Sequence, residues 1–162
     1  VGMRMAEVRD VGLVAHRFGL KHRVLCASPA DLSRHDAPHS LEDWQKHECL
    51  AADAQDIWRL EGPDGPVDIR VSGRLQTNSS EVVREAVLAG IGIALRSTWD
   101  IGPELKTGKL KIVLPQYRVT SRVGLYAVFP SKRFLPVKVR LFIDYLAGIY
   151  GPNPYWDEGL EL

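Results

Sequence analysis

Four small polar residues in a row, Thr77, Asn78, Ser79 and Ser80, precede Glu81 and an apolar run, and they are the residues of this chain best suited to act on a ligand. Three hydroxyls and an amide at a helix start, beside backbone N–H groups that lack intrahelical partners, can donate together to a carboxylate or a similar small anion. The same hydroxyls could act as nucleophiles. However, Ser79 and Ser80 stand outside a G-x-S-x-G elbow, and no Ser, His and Asp set lies in a recognisable frame. The five histidines form no H-E-x-x-H, and Pro38 between His35 and His39 spoils a helical i, i+4 pair. His47 with Cys49 falls short of the four closely spaced ligands of structural zinc. These residues point to binding without catalysis, with no metal and no cofactor.

The flanking pattern says what must hold that polar run in place. Val71, Gly73 and Leu75 alternate with Ser72, Arg74 and Gln76 as in a half-buried strand, continuing a strand expected over 67–75. A helix then opens at Asn78 or Ser79, with Asn78 accepting a free N–H and Glu81 reaching back as in a capping box. Val82, Val83, Ala86, Val87 and Ala89 supply its buried face, Arg84 and Glu85 its wet one, and Gly90 a left-handed stop. Residues 91–95 make a short apolar strand.

Upstream, strands are expected at 1–5, 11–15 and 23–27, and Ser28, Pro29 and Asp31 open a short helix to about His35. Ser40 and Asp43 repeat the signal before a helix carrying Leu41 and Trp44. Strand-like runs follow at 49–52 and around Ile57, Trp58 and Leu60, with a Gly-Pro-Asp-Gly turn at 62–65. Downstream, Ser97 caps a brief helix through Trp99, 110–114 is a strand ended by Pro115, and 124–129 is the last strand. A final helix carries Val139, Phe142, Ile143 and Leu146 at i, i+3, i+4 and i+7, and 151–162 reads as a tail lying on the surface through Tyr155 and Trp156. Alternating strand and helix signals without internal repeats predict an α/β fold with a mainly parallel sheet, whose ligands sit at the carboxyl ends of strands.

Composition narrows the class. Lys plus Arg number 21 against 20 Asp plus Glu, a net charge of +1, and the basic residues are scattered, so these residues do not suggest nucleic-acid binding. No apolar run reaches the ~18 residues of a membrane span, and no basic, apolar leader opens the sequence. Cys26 and Cys49 fall in apolar runs and read as buried thiols of a reducing, cytoplasmic setting.

Five ordered blocks carry a family resemblance. RVLCASPADL at 23–32, residues 38–50 with Leu41 and His47, GRLQTNSSEVVREAVLAGIGIAL at 73–95, GKLKIVLP at 108–115, and YAVFPSKRFLPVKVRLFIDYL at 126–146 resemble the effector-binding domain of LysR-type transcriptional regulators. The resemblance covers residues 1 to about 150. It implies a two-lobed, Rossmann-like α/β domain akin to type 2 periplasmic binding proteins, with a small-molecule effector in the cleft between the lobes. On this chain it implies a partial first lobe from residues 1–28 and 123–150, a second lobe from 29–122, and a C-terminal tail at 151–162.

The sequence departs from the family pattern in starting without the winged helix-turn-helix, the linker helix and two strand and helix units, so the first lobe is expected to be incomplete. DNA would be reached only through that absent helix-turn-helix domain. The resemblance also implies homo-oligomers, dimers or tetramers, and no membrane partner. It implies that Thr77, Asn78 and Ser79 face the effector, that Arg96 adds a charge-assisted contact, and that Met5, at the carboxyl end of the first strand, lines the cleft. The last helix's stripe, short of cover, favours association. Two other classes fit the sequence less well: a solute-binding protein of the same fold serving transport, disfavoured by the missing signal peptide and the two cysteines that do not read as a disulfide, and an enzyme on the same scaffold, disfavoured by the missing catalytic set.

Overall fold

Ser28 Oγ accepts the Asp31 N–H at 3.2 Å and starts a helix with Pro29 in its first turn, as the Ser-Pro-Ala-Asp run predicts. The structure, a computed structural model, describes residues 2–6, 14–20, 22–44, 46–52, 57–75, 77–119, 124–129, 136–151, 154–160 and 162. Its elements are β1 (Gly2–Ala6), β2 (Val14–Leu20), β3 (Arg23–Ala27), α1 (Pro29–His35), α2 (Leu41–Trp44), β4 (Cys49–Leu50), β5 (Ile57–Gly62) and β6 (Gly65–Arg70). There follow α3 (Ser80–Leu88), β7 (Ile93–Ser97), α4 (Thr98–Lys106), β8 (Lys111–Ile112), β9 (Gly124–Phe129) and α5 (Val137–Ile149).

The chain divides into two units, Val1–Lys21 with Ser121–Glu158, and His22–Thr120 with Gly159–Leu162. In the first, β1 and β2 flank β9 and both run antiparallel to it, with a register shift between Arg17 and Gly19. Ile143 and Leu146 of α5 are buried in a cluster with Ala127 of β9. Val139 is half-buried, whereas Phe142, expected on the same stripe, is 48% exposed. Of the strand expected over 11–15, residues 11–13 lie outside the described residues, and β2 carries the remainder on to Leu20.

The second unit is built on the sheet β4-β7-β3-β8. Only β4 with β7 is parallel among the described ladders, so the expected mainly parallel sheet is corrected to a mixed one. The alternation of strand side chains sorts its two faces. Leu25, Ala27, Ile93 and Leu95 join Trp44 and the β5-β6 hairpin residues Trp58 and Leu60, and the two indole rings meet edge to face at 5.3 Å. Val24, Cys26 and Ala94 face Val83, Ala86 and Val87 of α3 and Ile101 of α4. Both cysteines are buried and free, and burial pushes each thiol up to about 12.

Several expected boundaries shift for local reasons. Residues 71–75 join no described ladder beyond β6. Gly73 instead passes over the Cys49 carbonyl, where a Cβ would overlap the oxygen, and the Arg74 N–H donates to Glu48 Oε1. The alternation of buried Val71 and half-buried Leu75 thus reflects packing rather than strand pairing. The apolar face of α3 is narrower than expected, with Val82 44% exposed and Ala89 also exposed.

The helix ends in a Schellman motif: Gly90 N–H to Val87 O at 3.1 Å, Ile91 N–H to Ala86 O at 3.1 Å, and Gly90 at φ 74°. That turn uses Ile91, so the following strand begins at Ile93 instead of 91. Helix α4 does not stop at Trp99 but runs through Pro103 to Lys106. Gly102 before the proline has no Cβ to meet the ring, which removes the usual objection to a helical residue there. Beyond it Lys111–Ile112 of the expected 110–114 strand forms the ladder with β3, the Val113 N–H still donates to Leu25 O at 2.9 Å, and Leu114 turns the chain at φ 49°. In the tail, Pro154 is fully buried and Trp156 lies 5.5 Å from the Tyr150 ring, while Tyr155 is 62% exposed.

Candidate functional site

The polar run ends at the start of α3. Ser79, and not Asn78, is the N-cap: its Oγ accepts the Val82 N–H at 3.4 Å and its carbonyl the Val83 N–H at 3.3 Å. Thr77 Oγ1 in turn accepts the Ser79 N–H at 3.0 Å, which fixes the entry of the chain into the helix. Glu81 does not close a capping box. Its exposed carboxylate lies 3.9 Å from Arg84 Nη1 in the next turn.

Asn78 is exposed, and its side chain makes no hydrogen bond among the described residues. The N–H groups of Ser80 and Glu81 likewise meet no acceptor there. Two free backbone donors, one free amide and two ordered hydroxyls therefore gather at the positive end of a nine-residue helix.

Arg96 stands behind this start. On β7 it follows Ala94 by two and so shares the face covered by α3 and α4, and it is 8% exposed where a solvated strand end is the ordinary expectation for Arg. Its Nε donates to Asp100 Oδ2 at 2.9 Å, its Nη2 reaches the same oxygen, and its Nη1 donates to Ser80 Oγ at 2.9 Å. Because the Ser80 oxygen is used as an acceptor, its O–H is left to donate outward. Arg84 extends the network, with Nε 3.7 Å from Asp100 Oδ1 and Nη2 on Glu104 Oε1. Burial, and then the charge of Arg96, lower the pKa of Arg23, whose Nη2 donates to Leu95 O at 3.2 Å.

The sequence singled out Arg96 but not Ser80's link to it, nor Asp100. The i, i+4 spacing of Arg96 and Asp100 was the available signal, though it spans a strand end and a helix start rather than one helix. Met5 lies on β1 opposite Leu125, and its side chain lies outside the described residues. No group of three His, Cys, Asp or Glu side chains is placed to hold a metal among the described residues.

Residues 1–149 match the LysR substrate binding domain. The chain belongs to this family. DmlR, an HTH-type transcriptional regulator of Escherichia coli, is 37% identical over 148 residues, 89% of this chain and 48% of that protein. TtdR, an HTH-type transcriptional activator of the same organism, is 36% identical over 138 residues, 83% of this chain and 44% of that protein. The chain thus spans about half the length of the curated relatives it matches.

The regulatory domain of AphB from Vibrio vulnificus is similar in fold, with a TM-score of 0.78 at 33% identity over 90% of this chain and 73% of that one. The family expected from the five sequence blocks is the family matched, and the fold is the periplasmic-binding-protein-like α/β class of LysR-type regulatory domains. The chain is a LysR-type effector-binding domain, and its relatives DmlR and TtdR are transcriptional regulators. Among the described residues no helix is long and apolar enough to cross a membrane.

Proposed function

We propose that this chain is the ligand-sensing and oligomerising part of a LysR-type transcriptional regulator and binds a small anionic metabolite without transforming it. The observation that carries this reading is the open start of α3, where the Ser80 and Glu81 N–H groups meet no acceptor among the described residues, beside the polar side chains of Thr77, Asn78 and Ser79. An effector carboxylate takes these donors, the Ser80 hydroxyl adds one more, and Arg96 contributes positive charge from behind.

DNA contact in the whole regulator belongs to a helix-turn-helix segment of the kind that gives DmlR and TtdR their names, since the charges here nearly cancel at +1. The effector acts by favouring one of several arrangements of a homo-oligomer. The buried free thiols of Cys26 and Cys49 suit a cytoplasmic setting.

Calorimetric titration of the full-length regulator with small mono- and dicarboxylates, acetate, benzoate and succinate among them, tests this. For any acid that binds, Asn78→Ala and Ser79→Ala should each weaken affinity by about tenfold, equal to ~1.4 kcal/mol. Unchanged affinity in both variants would refute the site, and silence across the panel would count against an anionic effector.

A further inference from the structure

Helix α5 is apolar on two opposite sides. Ile143 and Leu146 turn inward and are buried with Ala127 of β9, and Val139, Ala147 and Tyr150 pack against them. Half a turn round the axis, Val137, Leu141 and Tyr145 recur at i, i+4 and i+8, and all three are exposed. Docking on its own sheet requires only the first of these faces. A helix that is apolar on both sides belongs to a setting in which both are covered.

The residues beside the exposed row fit one partner. Two further i, i+4 ridges flank it, Arg140 with Asp144 on one side and Lys138 with Phe142 on the other, and all four are exposed. One flank therefore carries a cation and an anion, and the other a cation and an aromatic ring. If a second α5 lies on the row, its direction decides which groups meet. Run antiparallel about a two-fold axis near Leu141, each flank faces its own copy in reverse order, so Asp144 comes beside the partner's Arg140 and Lys138 beside the partner's Phe142. Run parallel, unlike flanks meet, so Lys138 comes beside the partner's Arg140 and Asp144 beside the partner's Phe142, away from any cation. Only the antiparallel arrangement satisfies the charges, and the two-fold axis makes each favourable contact twice.

We propose that the exposed face of α5 is a self-complementary docking surface for a second copy of this chain, on which the two α5 helices pack antiparallel about Leu141 and Arg140 of each copy pairs with Asp144 of the other. Leu141 fills the centre of the seam. Toward its ends Val137 of each copy lies level with the partner's Tyr145. The surface belongs to the unit of residues 1–21 and 121–158, so it is independent of the anion site at the start of α3. It rests on the oligomerising part of the function proposed above and names the face that serves it.

Sedimentation of the 162-residue chain and its charge variants at micromolar concentration tests the pairing. Arg140→Glu puts two acids on one flank and Asp144→Arg puts two cations there, so each variant alone should weaken self-association by about tenfold. An equal mixture of the two should recover it, because every pair on that flank is then opposite in charge. This recovery cannot come from repairing a contact within either chain. Lys109→Glu and Asp64→Arg, both exposed and in the other unit, make the same changes in net charge away from the face, and should neither weaken association singly nor alter it when mixed. Parent dimers that ignore both α5 exchanges, a mixture that fails to recover, or controls that behave like the α5 variants overturn this face and leave oligomerisation to another surface. A parent chain that stays monomeric overturns the oligomerising reading as well, and leaves the row to a segment other than a second copy.

Discussion

Arg96 and Asp100 are joined across the start of α4 at side-chain exposures of 9% and 12%, and the remaining arm of the guanidinium lies 2.9 Å from Ser80 Oγ at the start of α3. One side chain thus ties together the first turns of two helices that cover the same sheet face. Removing it leaves a nearly buried carboxylate with only Arg84 Nε, 3.7 Å away, for company among the described residues. Arg96→Leu should cost about 3 kcal/mol in urea unfolding, near the lower end for breaking a buried pair. Arg96→Lys keeps the charge but lacks the fork needed to serve Asp100 and Ser80 together, and should fall between the two.

Stability and ligand affinity should separate within the polar run itself. Ser79→Ala removes the oxygen that accepts the Val82 N–H and should destabilise the protein by about 1 kcal/mol. Asn78→Ala deletes an exposed amide without a described hydrogen bond and should leave the unfolding midpoint within about 0.5 kcal/mol of the parent. Denaturation read beside the titration distinguishes a residue that shapes the helix start from one that only touches ligand. An Asn78→Ala loss of stability as large as that of Ser79→Ala would move the cap to Asn78.

Gly73 and Gly92 pass on either side of the short β4 region. A Cβ on Gly73 would overlap the Cys49 carbonyl oxygen and one on Gly92 the Glu48 carbonyl oxygen, both backbone atoms that cannot swing aside. The Glu48 carbonyl also accepts the Ile93 N–H at 2.9 Å, so any shift there breaks the entry to β7. Gly73→Ala and Gly92→Ala should each cost about 2 kcal/mol or more. Gly148→Ala is the control, because Gly148 lies in α5 with neither a positive φ nor a neighbour within 4 Å and the exchange there should cost nothing or stabilise slightly. Losses at Gly73 and Gly92 no larger than at Gly148 would show that the close approach over β4 carries no energy.

The sequence was most readable where chemistry is local. Ser28 with Pro29, the Gly62 to Gly65 turn and the Gly90 stop each depend on one or two residues whose side chain or φ decides the geometry, and each stands as expected. Strand direction was not legible, because a parallel and an antiparallel neighbour of β3 demand the same apolar side chains. Residues 71–75 misled for a related reason. Alternation reports which side chains are buried, and it does not distinguish a paired strand from an extended segment packed over Cys49. At the helix start the donors could be named from residue types, but the guanidinium behind them could not, since its burial depends on how β7 and α4 meet. Asp31 and His47, sixteen positions apart in the chain and 4.0 Å from each other in the fold, form a pair that no local pattern announces.

The last helix makes the remaining prediction. Ile143 and Leu146 of α5 are buried, yet Val137, Leu141 and Tyr145 are 70%, 62% and 66% exposed, and they recur at i, i+4 and i+8 along one face, with Phe142 beside them at 48%. An apolar row of this kind favours association, and a second copy of this chain is the partner proposed here. Two copies at net charge +1 repel each other little, so burial of the row is weakly opposed. Sedimentation at micromolar concentration should therefore show dimers or larger species. Leu141→Glu with Tyr145→Lys should shift them to monomer while leaving the unfolding midpoint nearly unchanged, because neither side chain belongs to the buried cluster. A strictly monomeric parent chain would remove α5 as an interface between copies. Dimers that persist in the double variant would place that interface elsewhere on the surface.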